Sequence, residues 1–404
     1  MPKRINWTIK HLLILTAVCA CVVFSVSHAL RRRAAFLTTA RQLEAHGAKV
    51  STRYHSLADE SQSAQFYDYI TEVDLDAYKE EDVRACLTLL AACPDLVSLI
   101  GSGCDLTDDM LLPLDLPKLE NLNLLGTTIT NKSSPFFSKL LLLKSLDVRA
   151  TETDERLTEL LPFPDKLRCL HIGPGLDELP GTHWISQFKY LSELEADSRQ
   201  IAACMPLPTT ITRLMLTTDD RDADLSFLKS LHDIEHLTVE GGKIDAALWD
   251  KFANNKKLAS LDMHGTWIHF QPPSESAGVA AGRWRKLRKL DLTGCKWDVR
   301  ECLFEVLSNA VTLEDLSVRG IAISDADCPG ICRLQSLRAL DLSNTNVGVL
   351  GLLCCRHAPS LYRLSAHGLG LTKNGSDRLR GMLPNIYLYT EHMPPDPCGG
   401  VNGE

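Results

Sequence analysis

The chain has no CxxC pair, no HExxH, no GxSxG, no phosphate-cradling glycine loop and no kinase signature. Each absence removes one motif-based route to chemistry: paired-thiol metal or redox sites, zinc peptidase action, a serine nucleophile, nucleotide binding and phosphoryl transfer. An excess of positive charge is also missing. Lys and Arg number 43 against 51 Asp and Glu, a net charge of −8, and nucleic-acid binders usually carry a clustered basic footprint. Nucleic acid is therefore not expected as a partner. The fourteen cysteines are scattered singly or as Cys328/Cys332 and Cys354/Cys355, which is not the spacing of a zinc or redox site. They read as small buried hydrophobes, with disulfides open only to a chain facing an oxidising compartment. With 45% apolar and 23% charged residues, most of the chain should fold.

Long apolar runs are scarce, and the exception lies near the N-terminus. Leu12 to Leu30 holds no Asp, Glu, Lys or Arg, and a helix of that length reaches about the hydrocarbon thickness of a bilayer at roughly 1.5 Å per residue. A basic segment (1–11) followed by a transmembrane helix or signal anchor (12–30) is the expectation, giving a single-pass membrane localisation. Lys3, Arg4 and Lys10 before the run nearly balance Arg31, Arg32 and Arg33 after it, so sidedness stays open. Ser27 and Ala29 form a small-x-small site that would suit a cleaved signal peptide, but the three arginines directly beyond disfavour it. Residues 31–69 read as a juxtamembrane helix stopped by Gly47, a short strand near Lys49 and a polar loop, together an N-terminal cap.

From 70 to 390 one pattern governs the chain, an LxxLxLxx(T/C/G)x(I/L) unit returning about every 24 residues. Its first apolar position falls at Leu96, Leu119, Leu143, Leu167, Leu191, Ile211, Ile234, Leu258, Leu287, Leu313, Leu337 and Leu361, and three residues after each stands a leucine, from Leu99 to Leu364. The LxL alternation places leucines on one face of a short strand and polar residues on the other. Helical patterning follows it, opened by Thr107-Asp108, Thr153-Asp154 and Ser324-Asp325, which read as helix caps. Seven glycines, Gly103, Gly126, Gly241, Gly265, Gly294, Gly320 and Gly368, occupy one position where the strand turns outward. Residues 269–284, rich in Pro, Ser and Gly, read as a projecting loop, and 391–404 as a disordered tail.

Segments such as LENLNLLGTTI (119–129), LASLDMHGTWI (258–268) and LRALDLSNTNV (337–347) resemble the leucine-rich repeat family. Cys104 and Cys295 bring it close to the cysteine-containing, ribonuclease-inhibitor-like subtype, and with the apolar run it looks like a bacterial-type, single-pass, membrane-anchored member. The resemblance implies an α/β solenoid of about 12–14 repeats, a horseshoe with parallel strands on the concave face and helices on the convex face.

Such proteins are mostly binding scaffolds, so the expectation is a non-enzymatic, membrane-anchored module that takes a protein or peptide on its strand face. A substrate-recognition subunit of a ubiquitin ligase and a structural envelope protein are the alternatives; no F-box-like helical domain precedes the repeats. The outward strand positions supply the candidate contacts: Asp147, Arg149, His171, Glu193, Glu195, Asp197, Glu240, Asp262, His264, Asp291, Arg319 and Asp341. Carboxylates predominate among them, so a basic partner surface would be complementary. Asp262 and Asp291 fall on adjacent strands, within reach of one divalent cation or an acid and base pair. Neighbouring solvated carboxylates are commoner, and the sequence indicates no third ligand. No catalytic residue, metal or cofactor is expected.

Overall fold

A computed structural model describes residues 23–24, 27, 31, 34–53, 69–75, 80–153, 161, 164–173, 184–218, 220, 223–269, 284, 286–297 and 310–392. The chain divides into two compact units, Met1–Gly173 and Pro174–Glu404. Each is built by the leucine pattern.

In the first unit, residues 34–45 are helical, with Ala40 and Leu43 buried. The helix stops at Gly47, whose positive φ of 93° lets the Ala48 amide turn back to Leu43 O at 3.0 Å. Strand β1 (Lys49–Arg53) pairs antiparallel with β2 (Tyr69–Asp74). From β2 the ladder is parallel through β3 (Ser98–Ile100), β4 (Asn121–Asn123), β5 (Ser145–Val148) and β6 (Cys169–Ile172). Leu99, Leu122, Leu146 and Leu170 stand in register on these strands and are at most 2% exposed. Helix α1 (Glu80–Leu90) buries Val83, Cys86, Leu87 and Leu90 at i, i+3, i+4 and i+7 spacing. Its first turn carries Glu80, Glu81 and Asp82, which favour the positive end of the helix dipole. Among the described residues of this unit, α2 (Asp108–Leu111) and α3 (Ser134–Phe137) are single α-helical turns.

The second unit repeats the arrangement over β7 (Glu193–Asp197), β8 (Arg213–Thr217), β9 (His236–Glu240), β11 (Ser260–His264), β13 (Lys289–Asp291), β15 (Asp315–Ser317), β16 (Ala339–Asp341), β17 (Arg363–Ser365) and β18 (Tyr387–Tyr389), all parallel. Leu194, Leu214, Leu237, Leu261, Leu290, Leu316, Leu340, Leu364 and Leu388 pair in one continuous register. None is more than 3% exposed, and a fully buried leucine contributes about 1.5–3 kcal/mol relative to an exposed one. The leucine spine read from the repeat is therefore present, and the fold is a leucine-rich-repeat-like α/β solenoid. Helices α4 (Ser198–Ala203), α5 (Ala246–Asn254), α6 (Cys328–Ile331), α7 (Val349–Cys354) and α8 (Lys373–Met382) lie on return legs.

All seven predicted turn glycines have φ between 60° and 82°, the left-handed region that a Cβ disfavours. All but Gly368, whose amide donates to the Glu391 carboxylate, continue the ladder past the strand ends, as Gly265 N does to Thr293 O at 3.1 Å and Gly294 N to Arg319 O at 2.8 Å. Ala150 and Asn344 hold the same position in their own repeats at φ 51° and 56°.

Three expectations are corrected. First, among the described residues no helix is long and apolar enough to cross a membrane, where about 20 residues are needed. Within Leu12–Leu30 only Val23, Phe24 and Ser27 are described, as helix; the rest of that run lies outside the described residues. The single-pass localisation, the transmembrane helix and the membrane as partner are set aside on that finding. Second, not every return leg passes from its turn directly into a helix. After Gly241, Gly265 and Gly294 the chain runs extended as β10 (Lys243–Asp245), β12 (Trp267–His269) and β14 (Lys296–Trp297), a second parallel sheet. Ile244 and Ile268 are fully buried in it, and β-branched and aromatic residues suit a half-buried pleated surface. Third, Thr107-Asp108 and Ser324-Asp325 are not simple caps. Thr107 makes no side-chain cap bond; instead Asp108 accepts from the Thr130 amide at 2.8 Å and hydroxyl at 2.7 Å and from Ser133. Asp325 likewise accepts from the amides of Gly348 at 2.6 Å and Gly351 at 3.0 Å. Each carboxylate satisfies backbone donors of the following repeat and so fastens one coil to the next. The loop expected at 269–284 lies outside the described residues except for His269 and Trp284, and so does the tail beyond His392.

Candidate functional site

On the parallel strands from β3 onward the leucines point inward and the residues flanking them point outward, so within each unit the outward face is a set of columns one strand apart. In the first unit it brings together Asp147, Arg149 and His171. Arg149 grips Asp147 as a fork, Nε to Oδ1 at 3.0 Å and Nη2 to Oδ2 at 2.7 Å, and its own amide donates to Oδ1 at 3.1 Å. His171 Nδ1 lies 3.6 Å from Oδ2. Burial alone pushes the Asp147 carboxyl up, but the contacts with His171 and Arg149 outweigh it and hold the pKa at about 2. These three residues are engaged with one another.

In the second unit the candidates separate by environment. Glu195 and Asp197 are buried, at 6% and 5% exposure. Asp197 caps α4: its carboxylate accepts from the Arg199 amide at 2.8 Å, and Gln200 Oε1 accepts from the Asp197 amide at 3.0 Å, a reciprocal cap. Glu193 lies 3.8 Å from Arg213, and Glu240 is exposed at the end of β9. Asp262, His264 and Asp291 meet. Their ligand-type atoms all lie within 4.8 Å of one another, because Asp262 pairs with Asp291 across β11 and β13 and His264 follows on the same face of β11. Burial, then the neighbouring Asp291, holds the Asp262 carboxyl above the usual range, against a smaller pull from His264 and Lys289. Arg319 and Asp341 share with His264 and Asp291 an open groove of ≈ 590 Å³.

The LxL alternation, taken from its first leucine, leaves out a column of which only Glu193 is among the expected contacts. The residue just before each strand leucine also faces outward: Arg213, His236, Ser260, Lys289, Asp315 and Arg363. Extending the alternation one step N-terminally finds it, since Arg213 and Leu214 are separated as Leu214 and Met215 are. This column supplies cations. Lys289, Asp315 and Arg363 line the ≈ 590 Å³ groove, and Arg213, His236 and Lys289 line a second of ≈ 490 Å³. Arg363 reaches Asp315 at 3.3 Å, whose carboxyl is raised by burial against the pull of that guanidinium. His236 is held below the usual imidazole range by burial and by Arg213. Among the described residues, Lys289 and Arg319 form no ion pair, and both are exposed. The face is thus mixed in charge, not acidic.

No family model and no curated protein matches the chain. Among solved structures it is similar to an internalin from Listeria monocytogenes, with 16% identity, a TM-score of 0.42 and coverage of 80% of this chain and 87% of that one. It is also similar to an LRR protein from Leptospira interrogans, with 17% identity, a TM-score of 0.36 and coverage of 75% and 85%. A third is TLR13 in a complex with ssRNA13, with 15% identity, a TM-score of 0.45 and coverage of 76% of this chain and 48% of that one. At these low TM-scores the likenesses carry no argument; the solenoid assignment rests on the register of the leucines.

Proposed function

We propose that the chain is a non-catalytic binding module whose outward strand face in the second unit takes a protein or peptide ligand of mixed charge. The observation that carries this reading is the groove in which Lys289 and Arg319, without ion-pair partners among the described residues, stand beside Asp291, Asp315 and Asp341. A solenoid owes its rigidity to the buried spine, so outward residues held in fixed columns are pre-ordered for contact, and less side-chain entropy is lost on binding. Charges of alternating sign on neighbouring strands favour a partner whose own charges alternate, and they disfavour uniformly charged competitors.

A displayed library of random peptides panned against the full chain tests the reading. Peptides carrying both acidic and basic residues should be enriched. Their affinity should fall about tenfold, about 1.4 kcal/mol, when Lys289→Glu and Arg319→Glu are combined. Equal binding by the doubly substituted chain, or enrichment of purely apolar peptides, overturns it.

A further inference from the structure

We infer that Asp262, His264 and Asp291 form a binding site for a divalent transition-metal ion of the zinc class. The inference is independent of the peptide reading. It begins with the close contact of two metal-binding groups: the Asp262 Oδ1 atom is buried, and His264 Nδ1 lies 2.6 Å from it. In its neutral form the imidazole, like the carboxylate, presents a lone pair that a cation between them can take in place of the direct contact.

The third ligand that the sequence did not reveal is this histidine. Register brings Asp291 opposite Asp262, and the three ligand atoms lie within 4.8 Å of one another. Small side-chain rotations would bring them to the ~2.0–2.2 Å that zinc takes with nitrogen and oxygen donors. Asp291 is already oriented as a ligand, because its Oδ1 accepts from the Thr293 amide at 2.9 Å and hydroxyl at 2.6 Å, which leaves Oδ2 for the ion. The Thr293 hydroxyl in turn meets Ser317 Oγ at 2.9 Å. Partners of this kind fix a ligand's direction and raise metal affinity.

The donor set selects the ion. One imidazole and two carboxylates suit zinc and its neighbours, whereas calcium prefers six to eight oxygens and Cu(I) prefers sulfur. Cys295 is turned to the other side of β11, its thiol donating to Met263 O at 2.6 Å. Three protein ligands leave open positions toward the grooves, where water or a ligand group completes the shell. Lys289, on the outward face of β13, adds a positive charge that opposes the ion, so its removal should tighten binding.

Equilibrium dialysis of the full chain against zinc chloride, with the bound metal quantified, tests the site. The wild-type chain should hold one zinc that Asp262→Asn and His264→Gln each weaken at least tenfold, while Lys289→Gln tightens it. With cobalt(II) in place of zinc, the visible absorption of a nitrogen- and oxygen-ligated ion should appear in the wild type and vanish in both weakened variants. Circular dichroism checks that each variant is folded, and Asp262→Asn is nearly isosteric. Zinc binding that is absent, or that is unchanged in folded Asp262→Asn and His264→Gln chains, overturns the inference.

Discussion

Replacing Asp147 by Asn probes how the outward face of the first unit is held. The substitution preserves shape but turns one acceptor oxygen into an NH2 group facing Arg149 or His171, which are held at 2.7 Å and 3.6 Å from Oδ2. The pKa of Asp147 falls from 3.8 to about 2. That depression corresponds to about 2 kcal/mol of native-state preference for the carboxylate. Arg149 is 32% exposed, and solvent screening brings the expected loss to about 1–2 kcal/mol at pH 7. The sign follows from the direction of the shift. A depressed folded-state pKa gives stability that is complete above the unfolded value near 3.8 and is lost as pH falls through about 2. The wild-type advantage in urea unfolding midpoints should therefore hold from pH 7 to 5, drop to roughly half by pH 3, and nearly vanish at pH 2. An advantage that stays constant down to pH 2.5 would refute the reasoning, because it would show that hydrogen-bond geometry and not charge sets the loss.

Two further outcomes follow from the backbone and the thiols. Gly265→Ala meets nothing within 4 Å and should cost only the left-handed backbone penalty of about 1–2 kcal/mol, whereas a Cβ at Gly241 would lie 2.4 Å from Thr218 O and should cost clearly more; equal melting-temperature losses would contradict this. Iodoacetamide at pH 8 should label Cys169 and Cys354, both partly exposed, well before Cys295 and Cys328, whose thiols burial pushes up to about 12; peptide mass spectrometry showing the reverse order would remove the reading of these cysteines as inert core residues.

What is legible in the sequence is what depends on period. Leucines three residues apart, returning about every 24, have one arrangement that buries them all, and strand register, leucine spine and turn glycines follow from it. What is not legible depends on distance across coils. Asp108 and Asp325 read as caps because cap chemistry is local, while their acceptor role involves residues 22 to 26 positions on. Asp197 reads as an outward contact if β7 is followed by a loop; the strand instead runs to Asp197 and passes directly into α4, so the side chain turns to cap. The face reads as acidic only when the outward column of Arg213, Lys289 and Arg363 is left uncounted.

The pairing of Asp262 with Asp291 shows why this fold can carry a locally costly feature. Leu258 and Leu287 are 29 positions apart (287 − 258), a lengthened return leg, yet Leu261 still pairs with Leu290 and the ladder does not slip. A slip of one residue would turn Leu290 outward, so the spine enforces the register and in doing so sets two carboxylates opposite each other, an arrangement that destabilises a sheet. In a globular core such a cost spreads through shared packing. In a solenoid each coil contacts its neighbours alone, and stability is close to a sum of coil and interface terms, so the penalty stays at the β11 and β13 interface. The same locality allows a ligand that neutralises the pair to stabilise that interface without moving the others. Outward positions on such an array are free to acquire chemistry because the leucines beneath them already fix where they stand.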